Sequence, residues 1–257
     1  MTAAADRLFL TVLGAGPAYT DRPGSSGAAY LVRSPQTAVL LDLGQGSFPR
    51  LAAAIEPSTL DAVVVSHLHP DHFIDLVPLR HYLAYQFRPG RHLRALAPAG
   101  LAERIDALHA RPGFTAEALD VEAFDPSAGP VAIGDLCLEA RRVTHTEDSH
   151  AVRLAPDADG PGLVYSGDCG RADDLAPLIR PGDTLLVEIS FGIGPVPAGA
   201  LHLDAAGIAE LLRTTEPGQV LLTHLQMGFD AAAAVDAVRA ATTAPVRLVE
   251  PGDRISI

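Results

Sequence analysis

No apolar run in this 257-residue sequence approaches the length that crosses a bilayer, only two cysteines are present, and no stretch concentrates lysine and arginine. Each shortage excludes a class of protein. A chain that is 48% hydrophobic but has no spanning segment folds around a core of its own, with no membrane partner expected. Cys137 and Cys169 make no disulfide framework and read as reduced thiols. The opening MTAAADRLFLTVLG lacks the basic segment, long apolar stretch and small-residue cleavage site of an export signal, so the cytoplasm is the expected location. With 19 basic against 31 acidic residues, the net charge of −12 repels nucleic acid at long range, and no extended nucleic-acid surface is expected. No Ser/Gly-rich linker or abrupt charge shift divides the chain, which predicts one domain over residues 1–257.

Short apolar strands alternate with helical stretches, the pattern of an α/β protein with helices layered on sheet. RLFLTVLG, AAYLVRS, TAVLLDLG and LDAVVVSHLH are followed later by LCLEARRVTH, HAVRLAPD, GLVYSGD and DTLLVEIS. Each half supplies an opening strand, a strand pair joined by a polar turn, a strand ending in Asp, a helix (SFPRLAAAI or ADDLAPLI) and another buried strand. The order repeats while residue identity mostly does not, so the reading is a weak internal duplication giving two facing sheets with helices outside. Apolar spacing between Asp71 and Gln86 predicts a helix kinked at Pro78, and DAAAAVDAVRAATT predicts a second.

The chemistry concentrates in VVVSHLHPDHFIDL, where His67, His69, Asp71 and His72 follow a β-branched strand. Neutral imidazole and carboxylate are ligands for zinc and other borderline metals, and two ions in one pocket need a charged group to bridge them. His67 and His69 can project to one side of a strand end, and Asp71 and His72, past the turn, can address a second ion. Further ligand types stand at later strand tips: His145 ends RRVTH, Asp168 ends VYSGD and His224 ends VLLTH. A lone strand-end histidine is more often simply solvated. Seven ligand-type residues in this arrangement predict a metal site, of two divalent ions, with zinc expected and manganese or iron as alternatives.

SHLHPDH, VTHTEDSHAVRL, YSGD and LLTHL together resemble the metallo-β-lactamase-fold hydrolase superfamily, and within it the branch of ribonuclease Z and the related cyclic-nucleotide phosphodiesterases. The resemblance runs over nearly the whole chain. It implies a four-layer αββα sandwich with metals at the sheet edges: one held by His67, His69 and His145, the other by Asp71, His72 and His224, with Asp168 bridging and a bridging hydroxide as nucleophile. His202 resembles in its placement the ribonuclease Z histidine that protonates the leaving oxygen, and Glu188 is expected to orient a metal-bound histidine or to pair with His202. Asp71, His202 and Glu188 are thus the candidate catalytic residues. PGSSG is expected to offer the Ser25 and Ser26 hydroxyls and the Gly27 amide to phosphate oxygens, or to be an ordinary turn. Phe73, Tyr82 and Tyr85 are expected to wall a base, Arg153 to form a buried ion pair, and Cys169 to be a small buried residue.

These residues predict a dinuclear hydrolase acting on a small phosphodiester, and the resemblance implies a 3′,5′-cyclic nucleotide as that diester. A thioesterase or lactonase on the same centre is the alternative, and a ribonuclease Z-type endonuclease is disfavoured by Val187, which stands where those enzymes often carry histidine, and by the absence of a basic arm. A non-catalytic ligand-binding module on the same fold predicts lost ligands, whereas all seven are present. A homodimer is left open.

Overall fold

The computed structural model describes residues 8–125, 128–157 and 160–257. The first half opens with β1 (Phe9–Gly14), β2 (Ala29–Arg33), β3 (Ala38–Leu41), α1 (Phe48–Ala54), β4 (Ala62–Val64), α2 (Pro70–Phe73) and α3 (Leu76–Tyr85). It continues through β5 (Leu93–Ala97), α4 (Leu101–Leu108) and β6 (Leu119–Ala123). The second half runs β7 (Val131–Ile133), β8 (Leu136–Val143), β9 (Ser149–Ala155), β10 (Leu163–Tyr165), β11 (Thr184–Glu188), α5 (Ala205–Leu211), β12 (Gln219–Thr223), α6 (Ala231–Arg239), β13 (Val246–Leu248) and β14 (Arg254–Ser256).

The strands form two seven-stranded sheets, ordered β14-β1-β2-β3-β4-β5-β6 and β13-β12-β11-β10-β9-β8-β7. In the first, β1 to β3 pair antiparallel and β3 to β6 parallel. In the second, β8 to β10 pair antiparallel and β10 to β13 parallel. The duplication expected from strand order is therefore a repeated topology, with β3 equivalent to β10 and β4 to β11. One strand crosses the symmetry, since β14 returns to pair with β1.

Alternation along the strands explains the layers. Val39 and Leu41 of β3 join Tyr30, Val32, Val152, Leu154 and Tyr165 in a cluster between the sheets, while Ala38 and Leu40 turn outward to meet Leu51, Leu79 and Leu83 beneath α1 and α3. On the other side Leu185, Val187, Leu222, Ile208, Leu211, Ala234 and Val238 bury the outer face of the second sheet under α5 and α6. The architecture is the αββα sandwich.

Two local expectations need correction. The predicted 71–86 helix is two helices, broken at Ile74 and Asp75, and Pro78 does not kink it. Pro78 sits in the first turn of α3, where an N–H has no helical partner to lose. The break frees Asp75, whose carboxylate accepts from the Phe48 amide at the start of α1. ADDLAPLI is a single 3-10 turn, Ala172–Asp174, because the chain needs only a short span to re-enter at β11.

Arg153 on β9 forms the expected buried pair: its Nε and Nη2 donate to Asp183 at 2.9 and 3.0 Å, and both residues are almost wholly buried. Asp183 also accepts from the amides of Gly162 and Arg180. Arg153→Met leaves that carboxylate without its cation, and urea unfolding is expected to show a loss of about 3–5 kcal/mol. A loss below about 1 kcal/mol would show that the pair is dispensable.

Candidate metal centre

The centre lies where strands of both sheets end, the usual place for ligands in sheets with parallel strands. β4 leads into Ser66, His67, Leu68 and His69, and Pro70 then starts α2 in the N1 position, which suits its fixed φ. That short helix turns Asp71 and His72 back under the strand end. Gly44 lets the β3–α1 loop pass so closely that a Cβ there would lie 1.8 Å from the Asp71 carbonyl oxygen. β8 runs on to His145, β10 to Asp168 and β12 to His224. Asp42 and His224 hold positive φ values of 55° and 60°, and such strained positions in non-glycine residues gather at functional sites.

All seven predicted ligands converge. His67, His69, His145 and Asp168 each offer a donor atom within 4.8 Å of the others, as do Asp71, His72 and His224. Asp168 lies between the sets. Its Oδ2 stands 3.7 Å from both His67 Nε2 and His145 Nε2, and its Oδ1 stands 3.3 Å from His72 Nε2 and 3.5 Å from His224 Nε2. Asp71 Oδ2 is 3.3 Å from His224 Nε2.

The donor set fits a divalent metal. His67 Nε2, His72 Nε2 and Asp168 Oδ1 are buried without a hydrogen-bond partner and face one another, a costly arrangement that a cation satisfies. Burial holds the pKa of His67, His69 and His145 below the ordinary imidazole value, so the rings are neutral and their lone pairs open. Burial opposes ionisation of Asp168, but His224 and His72 outweigh it and keep the carboxylate charged.

An outer ring of hydrogen bonds fixes which nitrogen of His72, His145 and His224 points inward. His72 Nδ1 lies 2.7 Å from Asp42 Oδ2, His145 Nδ1 donates to the Leu201 carbonyl at 2.7 Å, and His224 Nδ1 lies 3.1 Å from Ser190 Oγ. Asp42 is fully buried and also accepts from the Ser66 amide, the Ser66 hydroxyl and the Tyr165 hydroxyl. Such partners raise ligand basicity. Asp42→Asn, which tolerates the positive φ, is expected to weaken metal affinity about 10- to 100-fold in a chelator competition. An unchanged affinity would limit Asp42 to folding.

Glu188, at the end of β11, is fully buried and pairs with His202: Oε1 lies 2.9 Å from His202 Nδ1. Its other contacts are the Cys169 amide on Oε1 and the Ser190 amide and hydroxyl on Oε2. Burial disfavours the charged imidazole of His202, but the hydrogen bond and charge of Glu188 more than offset it and raise the pKa. His202, Asp71, Asp168, His224 and His69 line one cleft of about 290 Å³, walled also by Pro17, Ala18, Tyr19, Pro70 and Gln226. A larger cavity, about 490 Å³, opens between β6 and β8 and carries none of the seven ligands.

Two sequence expectations find no place in this cleft. Ser26 is buried with its hydroxyl donated to the Leu13 carbonyl, and the Gly27 amide donates to the Gln45 carbonyl. Ser25 lines a separate cavity with Arg22 and Arg50. The Ser26 hydroxyl and the Gly27 amide are consumed by the loop's own folding and Ser25 faces the other cavity, so these residues form no phosphate cradle in the cleft of the candidate ligands. Phe73 is buried under the first sheet, Tyr82 packs on Phe48, and Tyr85 is exposed beside the Arg80 guanidinium, so none walls the site. Cys169 is buried as expected, its thiol pushed up to about 12 by burial. Asp42, Ser66, Tyr165 and Ser190 carried no assigned role in the sequence. For Asp42 the signal existed, because it follows β3 as Asp168 follows the equivalent β10.

Residues 37–225 match a family model described as the beta-lactamase superfamily domain. The protein belongs to the metallo-β-lactamase-fold hydrolase superfamily, in the part that includes ribonuclease Z. It is 30% identical to the uncharacterized protein ML1173 of Mycobacterium leprae, over 96% of this chain and 88% of that one. It is 28% identical to a ribonuclease Z of Mycobacterium bovis, over 70% and 69% of the two chains. Among solved structures, the metallo-beta-lactamase fold protein YhfI of Bacillus subtilis superposes with a TM-score of 0.85 at 22% identity, covering 98% of this chain and 100% of its own.

Proposed function

We propose that the protein is a dinuclear phosphodiesterase that hydrolyses small phosphodiesters, with 3′,5′-cyclic nucleotides as the leading substrates. The observation that carries the reading is Asp168, whose two carboxylate oxygens face two separate sets of ring nitrogens, the geometry of a bridge between ions. His67, His69 and His145 would hold one ion and Asp71, His72 and His224 the other, zinc suiting the imidazole-rich set and manganese or iron being tolerated. Such a pair, when bound, supplies a water of lowered pKa and a positive field on the phosphoryl oxygens.

The chain's own residues supply the remaining steps. His202 is suited to hold a proton, because Glu188 binds its Nδ1 and raises its pKa, and the residue lines the cleft, where its Nε2 would give the proton to a leaving alkoxide. A metal-assisted hydrolase with a positioned acid suits a diester, whose leaving oxygen needs a proton, better than a thioester, whose thiolate departs without one. Ribonuclease Z, by its name, acts on RNA, and what carries over is the phosphodiester bond. The RNA itself does not, because a long polyanion demands clustered cations. Arg94 is spent on Glu122 and Arg91 lies over the Phe87 ring.

A panel assay of the zinc- and manganese-loaded protein against cyclic nucleotides, linear diesters, thioesters, lactones and precursor tRNA tests the reading. We expect cyclic-nucleotide turnover with modest salt dependence. Activity confined to thioesters, or efficient tRNA cleavage, would overturn it.

A further inference from the structure

We propose that Tyr19 is the platform on which the planar base of the substrate stacks, which makes it the residue that selects nucleotides over other small diesters. The inference rests on the phosphodiesterase reading and names what that site recognises beyond phosphate.

Tyr19 is 67% exposed, yet it is among the residues that line the cleft of the candidate metal ligands. Among the described residues its side chain has neither a hydrogen bond nor a ring partner. A large aromatic side chain left in water lowers no energy of the free protein; its apolar faces gain only when something covers them. Flexibility is not the reason for the exposure. Gln45 Nε2 contacts the Pro17 and Ala18 carbonyl oxygens at 3.3 Å, and Arg22 Nη1 donates to the Leu225 carbonyl at 2.8 Å. The Arg22 amide donates to Thr20 Oγ1, and the His224 amide donates to the Ala15 carbonyl. The segment is thus fastened on both sides of Tyr19 to the stretch that carries His224, through Ala15 on one side and Arg22 on the other, so little ordering entropy is lost when a ligand covers the ring.

The surroundings suit a base more than a second charged group. Pro17, Ala18 and Pro70 give the cleft apolar wall, and Leu201 and Met227, both exposed, adjoin His202 and Gln226, which line it. Among the described residues, no arginine or lysine lines this cleft. A phosphate held at the metal ligands would therefore place the rest of its molecule against apolar surface with one free aromatic face, and base-to-aromatic stacking tolerates any base because each has a π-face.

The test compares ligands that differ only in the base. For the metal-loaded enzyme, Tyr19→Ala should raise KM for 3′,5′-cyclic AMP about tenfold with kcat little changed, and leave KM for ribose 3,5-cyclic phosphate as it was; Tyr19→Trp should restore the wild-type value. A parallel calorimetric titration with AMP and ribose 5-phosphate needs no turnover, and the preference for AMP should shrink about tenfold in Tyr19→Ala. If no diester is hydrolysed, the phosphodiesterase reading fails, while the titration still decides whether Tyr19 stacks a base. Equal effects on base-bearing and base-free ligands, or an unchanged AMP preference, would overturn the proposal.

Discussion

Asp168→Ala is expected to lower hydrolysis by at least about a thousandfold while the protein stays folded. Removing the one carboxylate that faces both donor sets leaves His67, His69 and His145 on one side and Asp71, His72 and His224 on the other without a shared anion. Two cations held close together then repel each other with nothing between them, so metal content should fall from about two per chain to about one or less. Circular dichroism checks the fold, elemental analysis the metal, and a diester assay the rate. A wild-type protein that carries no stoichiometric transition metal and keeps its activity after exhaustive chelation would remove the basis of the dinuclear reading.

His202→Ala should cost about 10²- to 10⁴-fold on a diester with a poor alkoxide leaving group and little on p-nitrophenyl esters, whose phenolate departs unprotonated. On the proposed reading the acid form of His202 does this work, and it is lost as pH rises through a pKa that Glu188 holds above the ordinary value. Glu188→Gln removes the charge responsible, so the basic limb of the alkoxide rate profile should move to lower pH while the profile on p-nitrophenyl substrates keeps its limb. Equal losses on both leaving groups, with no movement of the limb, would return His202 to a structural role.

How much of this was legible in the chain depended on how local the cause is. His67, His69, Asp71 and His72 announce themselves because their ligand chemistry is packed into six residues at the end of an apolar strand, and His145, Asp168 and His224 because they follow strands in the same way. The repeated strand order was readable too, since alternation and turn residues are properties of short segments. The split of the 71–86 helix was not, because Ile74 and Asp75 carry no breaker; the backbone groups there bond distant segments instead, the Asp75 amide donating to the Leu43 carbonyl and the Asp71 and His72 carbonyls accepting from the Ala28 and Leu43 amides. The Ser25 to Gly27 donors looked free for a ligand and are spent on Leu13 and Gln45 or turned to another cavity.

The sequence by itself thus determined the fold class and which ligand-type side chains stand at strand ends, because periodicity and ligand type reside in the residues and their near neighbours. Only the tertiary structure decided that Asp168 faces both donor sets, that Asp42 and Ser190 set the inward nitrogens of His72 and His224, and that Tyr19 lines the cleft while Phe73, Tyr82 and Tyr85 do not. Those facts depend on which strand ends two facing sheets bring together and on which polar groups find partners far along the chain. Neither can be read within any one segment.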